Sequence, residues 1–170
     1  AKILPKQAQK NKFIVESILK NVQKNGDSAV KKYEKKFTKA KLTSLRVSKN
    51  EVNQAYSKVS KKEISAIRLA KTRVEKTESI VKSIFKNKII CHDGIKISKK
   101  FVAIQSTGCY IPGGLAQYPS SVIMSVIPAK VAGVKRIVVV SPPNSDGKIN
   151  SLTIVAADIC GATEIYKTGG

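Results

Sequence analysis

Hydrophobic residues change their spacing along this chain, and each change predicts an element. From about Asn11 to Lys24 they recur at Val15, Ile18, Leu19 and Val22, the 3.6-residue period of an amphipathic helix. Asn25-Gly26 predicts its stop, and Asp27 or Ser28 is placed to cap a second helix carrying Ala29, Val30, Tyr33 and Phe37. Leu45-Arg46-Val47 reads as a short strand or extended link. Ser48-Lys49-Asn50-Glu51 and Ser60-Lys61-Lys62-Glu63 both have the Ser-x-x-Glu form of a capping box, in which two side chains satisfy opposite orphan amides. The first predicts a short helix with Val52, Tyr56 and Val59. The second predicts a long one to about Phe85, with Ile64, Ile67, Ala70 and Val74 on one face.

At Ile89 the period falls to two. Ile89-Ile90-Cys91-His92, Asp93-Gly94 and Ile95-Lys96-Ile97-Ser98 predict a hairpin, because Asp-Gly supplies the positive φ angles of a type I′ turn. Phe101–Ile104 is a strand candidate, and Thr107–Ile111 a second extended piece ending in Pro112-Gly113-Gly114. Ser120 or Ser121 is placed to cap a helix to about Ala132, closed by Gly133. Arg136–Val140 is a continuous β-branched run, expected of a parallel strand buried on both faces, and Ser141-Pro142-Pro143-Asn144 breaks it. A helix from about Ile149 to Ile159 stops at Gly161, and Glu164–Tyr166 starts another strand. The order predicts an α/β fold. Residues 1–107 form a lysine-rich helical region with a β-hairpin, and 108–170 an incomplete parallel-sheet βαβ domain of Rossmann-like type.

Composition narrows the class. At 42% apolar the 170 residues can pack a core, which excludes a disordered chain. The longest apolar region, 121–134, is interrupted by Ser125, Pro128, Lys130 and Gly133, well short of a membrane span. Ala1-Lys2-Ile3-Leu4-Pro5-Lys6 has no apolar segment of a secretory signal, so a soluble cytoplasmic protein is expected. The net charge of +21 sits almost wholly in residues 1–100, which hold 27 Lys+Arg against 8 Asp+Glu. Only Arg46, Arg68, Arg73 and Arg136 are arginines, and tryptophan is absent. Nucleic-acid readers favour arginine forks and interleaved aromatics, so the excess reads as a solvated lysine surface. The alternative is a basic nucleic-acid-binding module attached to an enzyme-like α/β domain. Cys91, Cys109 and Cys160 are odd in number and widely spaced, which argues against a disulfide framework or a structural zinc site. Each adjoins apolar residues and is expected to be a small buried thiol. His92, the single histidine, lies beside the hairpin turn and is expected at the surface.

Candidate chemistry lies after Tyr110. In open parallel sheets ligands bind at the carboxyl ends of strands, where loops meet helix N-termini. Gly113 and Gly114 permit close backbone approach, and Ser120 and Ser121 stand at a helix start, which favours an anion such as phosphate. The phrase is neither the Gly-x-Gly-x-x-Gly fingerprint nor a phosphate-binding loop with a Gly-Lys-Ser/Thr ending. Its full run is Gly108-Cys109-Tyr110-Ile111-Pro112-Gly113-Gly114, Pro119-Ser120-Ser121-Val122-Ile123-Met124, Ile127–Val134 and Val140-Ser141-Pro142-Pro143. That run closely resembles histidinol dehydrogenases. The resemblance continues through Ala156–Ala162 and Gly169-Gly170, takes in the helix pair Val22–Phe37 and the turn Asp93-Gly94, and covers essentially the whole chain.

The resemblance implies an enzyme that oxidises L-histidinol to the aldehyde and then to L-histidine, using two NAD⁺, as a zinc-dependent homodimer. It implies an NAD contact at the tyrosine before Pro-Gly-Gly, which is Tyr110, with Pro112 beside it in the same loop. An aromatic face and a hydroxyl suit a nucleotide. The family's zinc and substrate ligands, its Glu-His pair of bases, and the glutamine that contacts NAD after the second Gly-Gly fall outside this sequence. No catalytic or metal-binding residue is therefore assigned here, and the 170-residue chain by itself is expected to be inactive. A third reading is an assembly fragment whose helices leave apolar faces exposed and associate.

Overall fold

The computed structural model describes residues 6–113 and 117–169; Gly114 and Gly170, named above, lie outside the described residues, as does the opening run Ala1–Pro5. The elements run α1 (Lys6–Phe37), α2 (Lys49–Tyr56), α3 (Lys61–Ile84), β1 (Lys88–His92), β2 (Ile95–Lys99), β3 (Ser106–Tyr110), α4 (Pro119–Ala132), β4 (Arg136–Ser141), α5 (Ser151–Cys160) and β5 (Glu164–Lys167). The α/β class is as predicted.

β3, β4 and β5 form a parallel sheet in that spatial order. Parallel neighbours need crossovers, and α4 and α5 supply them, packed against each other on one face of the sheet. α3 packs on α4 and α5, and α2 on α5, as a further helical layer. That arrangement explains why α5 lacks a polar side: Thr153–Ala157 and Cys160 are all buried. The centre of the core is Ile111, Val122, Val126, Ile127, Val139, Val155 and Cys160, each with no exposed surface.

The two capping boxes form as predicted. The amide of Ser48 donates to Glu51 Oε2 at 2.9 Å and that of Glu51 to Ser48 Oγ at 3.2 Å. The Ser60–Glu63 pair repeats the arrangement. Leu45–Val47 lies antiparallel beside β5: Val47 N donates to Ile165 O at 2.9 Å and Lys167 N to Leu45 O at 2.7 Å. Gly26, at φ 55 and ψ −138, divides α1 into two helical arms where Asn25-Gly26 predicted a stop. Ser28 does not cap the second arm through an acceptor; its hydroxyl donates back to Asn25 O at 2.7 Å. At the hairpin turn Asp93 and Gly94 both have positive φ, 47 and 78, as a type I′ turn requires.

Four expectations are corrected. β4 is buried on one face only: Ile137, Val139 and Ser141 are inside, while Val138 and Val140 are half-buried, because α4 and α5 cover a single side. Phe101–Ile104 is not a strand. Val102 is 83% exposed and no strand among the described residues runs beside it, since β-propensity without an edge to pair with makes no ladder. Neither Ser120 nor Ser121 caps α4. The N-cap is Tyr118, without a side-chain cap, and Pro119 takes the first turn, where its fixed φ and missing N–H fit. Cys91 is exposed on the hairpin, whereas Cys109 and Cys160 are buried; all three are free thiols. No described helix is long and apolar enough to cross a membrane.

Candidate cofactor site

The carboxyl ends of all three parallel strands meet at one edge. β3 ends at Tyr110, whose partner across the ladder is Val140, and Val140 in turn pairs with Tyr166. These three stand on the face away from α4 and α5, and Tyr110 is 54% exposed. The next residue turns the other way: Ile111 is wholly buried and its amide donates to Val140 O at 2.8 Å. A buried isoleucine thus fixes the root of the loop, while Pro112 and Gly113 emerge at the surface.

Two glycines are required where this edge closes up. A Cβ on Gly113 would overlap Pro142 Cγ. Gly169 has φ +147, and a Cβ there would stand 2.6 Å from Tyr110 Cε2 and 3.2 Å from Pro142 Cδ. Tyr110, Gly113, Pro142 and Gly169 therefore form one compact group from three strand ends, with bare glycine backbone on either side of the proline. The β4 and β5 ends are tied by Thr168 N donating to Ser141 O at 3.1 Å. Proline at the start of α4 and the lack of a side-chain cap leave that helix's first-turn amides without a side-chain partner among the described residues.

Strongly shifted titrating groups lie elsewhere. Arg136 grips Glu164 through two bonds of 2.6 and 3.2 Å at the amino end of the sheet. With Tyr166 also donating, this holds the Glu164 carboxyl down at about 2. Burial pushes the Cys160 thiol up to about 11 and raises that of Cys109, so neither is poised as a thiolate. His92 lies on the open hairpin with Nε2 3.2 Å from Asp93 Oδ2, at the surface as expected. Among the described residues no three His, Cys, Asp or Glu side chains converge on a cation site. A cavity of about 470 Å³ is lined by Arg46, Val47, Ser48, Asp158 and Glu164 at the amino end of β5, away from the glycine edge.

Sequence reasoning located Tyr110, Pro112 and Gly113 but not their neighbours. Pro142 appears in the sequence only as a strand breaker. Glu34, from α1, is missed altogether: its carboxylate accepts from Gly169 N at 2.9 Å and Thr168 Oγ1 at 3.0 Å. The one signal available was an acid set among the apolar positions Val30, Tyr33 and Phe37.

The comparisons agree with this architecture. The histidinol dehydrogenase family model matches residues 4–170. A histidinol dehydrogenase from Clostridium acetobutylicum is 41% identical over 169 residues, covering 97% of this chain and 39% of that protein. One from Gloeobacter violaceus is 44% identical over 167 residues, 96% of this chain and 37% of that protein. The crystal structure of histidinol dehydrogenase from Elizabethkingia anophelis superposes with a TM-score of 0.88 at 35% identity, over 100% of this chain and 38% of that one. The chain thus spans about two fifths of the length of the relatives it matches. With a match to the family model over nearly its whole length, this chain belongs to the histidinol dehydrogenase family.

Proposed function

We propose that these residues form the NAD-contacting portion of an enzyme that oxidises L-histidinol to L-histidine with two NAD⁺. The observation that carries the reading is the exposed ring of Tyr110 on a glycine-lined edge at the carboxyl ends of a parallel sheet, within a chain of this family. The edge fits a nucleotide: a flat aromatic face, a hydroxyl, and backbone stripped of Cβ atoms where a ligand approaches. When bound, NAD⁺ supplies the hydride acceptor, once for the alcohol and once for the aldehyde. Tyr110 offers its ring and hydroxyl. Pro112 stiffens the loop at the neighbouring position, and the first turn of α4 offers amides to a phosphate.

The likeness to the family assigns zinc to residues outside this sequence, and no step is placed on it here. The same holds for the acid–base residues, so the 170-residue chain by itself is expected to show no turnover. The proposed division at residue 107/108 puts the helices and hairpin before it and the cofactor edge after it, and it falls inside β3. A homodimer is proposed on the exposed apolar surface of α1 and the hairpin, which includes Phe13, Leu19, Ile89 and Ile95. A cytoplasmic setting suits three free thiols, one of them exposed.

The test is a titration of NAD⁺ into the full-length protein and its Tyr110→Ala variant. Weakened NAD⁺ binding at unchanged thermal stability supports the assignment; equal affinity refutes it. Turnover of L-histidinol by the 170-residue chain with NAD⁺ and zinc would refute the placement of the catalytic groups elsewhere.

A further inference from the structure

Glu34 lies on the apolar side of the second arm of α1 and is only 4% exposed. Among the described residues no ion pair reaches it. A buried carboxylate without a cation has to be satisfied by hydrogen bonds, and two donors converge on one of its oxygens. Gly169 N–H donates to Oε1 at 2.9 Å and Thr168 Oγ1 to the same oxygen at 3.0 Å; Thr38 Oγ1 lies 3.3 Å from Oε2, but its one proton has a shorter acceptor in Glu34 O at 2.8 Å. Both donors to Oε1 come from the end of β5, 134 and 135 residues away along the chain.

Those two donors flank the cofactor edge. Gly169 is the residue whose backbone lies against Tyr110 and Pro142, at a φ that side chains rarely adopt. A backbone held in such a conformation needs fixing from outside, because glycine has the most freedom to leave it. Lys167, two residues earlier, is pinned from the same side of the molecule by Glu51, Nζ to Oε1 at 2.7 Å. The end of β5 is thus held by one acid from α1 and one from α2, and the outer of these holds the glycine beside the tyrosine.

We propose that Glu34 is a positioning residue for the NAD⁺ site: by binding Thr168 and Gly169 it presses the glycine backbone against Tyr110 and fixes the face that the ring presents. The proposal rests on the reading of Tyr110 as an NAD⁺ contact. It assigns to the helical part of the chain a role in cofactor affinity with no contact to the cofactor itself.

The experiment uses the full-length protein with Glu34→Ala, Glu34→Gln and, as a separate arm, Tyr110→Ala. Amide hydrogen exchange over the peptide containing Thr168 and Gly169 reads the latch without NAD⁺, and equilibrium titration reads NAD⁺ affinity. Glu34→Ala is expected to speed exchange at Gly169 and weaken NAD⁺ binding roughly tenfold, the scale of one lost charge-assisted hydrogen bond, with KM for NAD⁺ rising more than kcat falls. Glu34→Gln keeps the Oε1 acceptor and is expected to restore most of both. Unchanged exchange in Glu34→Ala overturns the latch. Faster exchange with unchanged NAD⁺ affinity overturns the positioning role: if Tyr110→Ala still weakens binding, the cofactor reading survives, and if it does not, that reading falls as well. Should Glu34→Ala fail to fold, Thr168→Val removes one donor at nearly constant shape and is expected to weaken NAD⁺ about threefold, with equal affinity again overturning the proposal.

Discussion

α5 and the β1–β2 hairpin are both short and rich in isoleucine and valine or isoleucine alone, yet their side chains meet opposite fates. In α5, Ile154 is 5% exposed and Val155 not at all; in the hairpin, Ile89 and Ile95 are 61% and 64% exposed. α5 is enclosed by the sheet, by α4 and by the layer of α2 and α3, all supplied by this chain. The hairpin is joined to the body through Phe85 and Phe101, whose rings meet edge to face at 5.3 Å, and through Phe101 N donating to Asn87 Oδ1. A two-stranded ribbon is marginal alone, so its apolar residues report a partner that these residues do not provide. The rest of the family's length, or a second copy, is the proposed source.

The strongest way to break this contrast is to delete buried and exposed methylenes in parallel. Ile127→Ala, in the closed centre of α4, is expected to cost about 3 kcal/mol in a urea melt. Ile95→Ala is expected to stay within about 0.5 kcal/mol in the 170-residue chain. In the full-length protein the Ile95→Ala cost should rise, because the hairpin is then covered. Equal costs for the two substitutions in the short chain would mean that the hairpin is already packed.

What could be read beforehand divides along the same line, local against distant. Asp93-Gly94 and the two Ser-x-x-Glu boxes specify their geometry within four residues, and all three form. Phe101–Ile104 has strand-like residues, but pairing depends on an edge far away in the chain, and none lies beside it among the described residues. At the start of α4 two local signals compete, and proline at the first helical position displaces the serines from the cap. The Tyr110 loop was found by its likeness to a family phrase and by the rule for strand carboxyl ends. Glu34 was invisible because its partners stand 134 and 135 residues later, and a lone acid in an apolar stripe does not name them.

A smaller effect is expected where the helical layer is tied to β5 by charge. Lys167 is buried at 7% exposure and pairs with Glu51, which also closes the capping box of α2. Burial alone would raise the Glu51 carboxyl, but the Lys167 hydrogen bond and the Ser48 amide outweigh it and bring it below the ordinary 4.5. A depressed carboxyl contributes stability that is complete above pH 4.5 and lost as the pH falls through the lowered value. Glu51→Gln keeps the capping box and removes the charge, so a loss of about 1–2 kcal/mol at pH 7 is expected, shrinking below pH 4. A loss that stays constant from pH 7 to pH 3 would assign the cost to packing instead.

The smallest effect concerns the bond joining α2 to α5 at the surface, Tyr56 OH donating to Asp158 Oδ2 at 2.7 Å. Burial first, and then this carboxylate, push the Tyr56 hydroxyl up from 10.0 to about 12. A raised folded-state value means stability that is fully present below pH 10 and lost as the pH rises through about 12. The bond is open to solvent, so Tyr56→Phe is expected to cost only about 0.5–1 kcal/mol at pH 7. The measurement is a double-mutant cycle with Asp158→Asn, since the pair stands 102 residues apart in sequence and shares no other hydrogen-bond partner in the described structure. Wild type minus Tyr56→Phe, followed from pH 8 to pH 11.5, cancels the alkaline titration of the many lysines and isolates the tyrosine. A coupling energy of zero would show that this bond adds nothing to the α2–α5 contact, which then rests on apolar packing through Ala55 and its neighbours in the core.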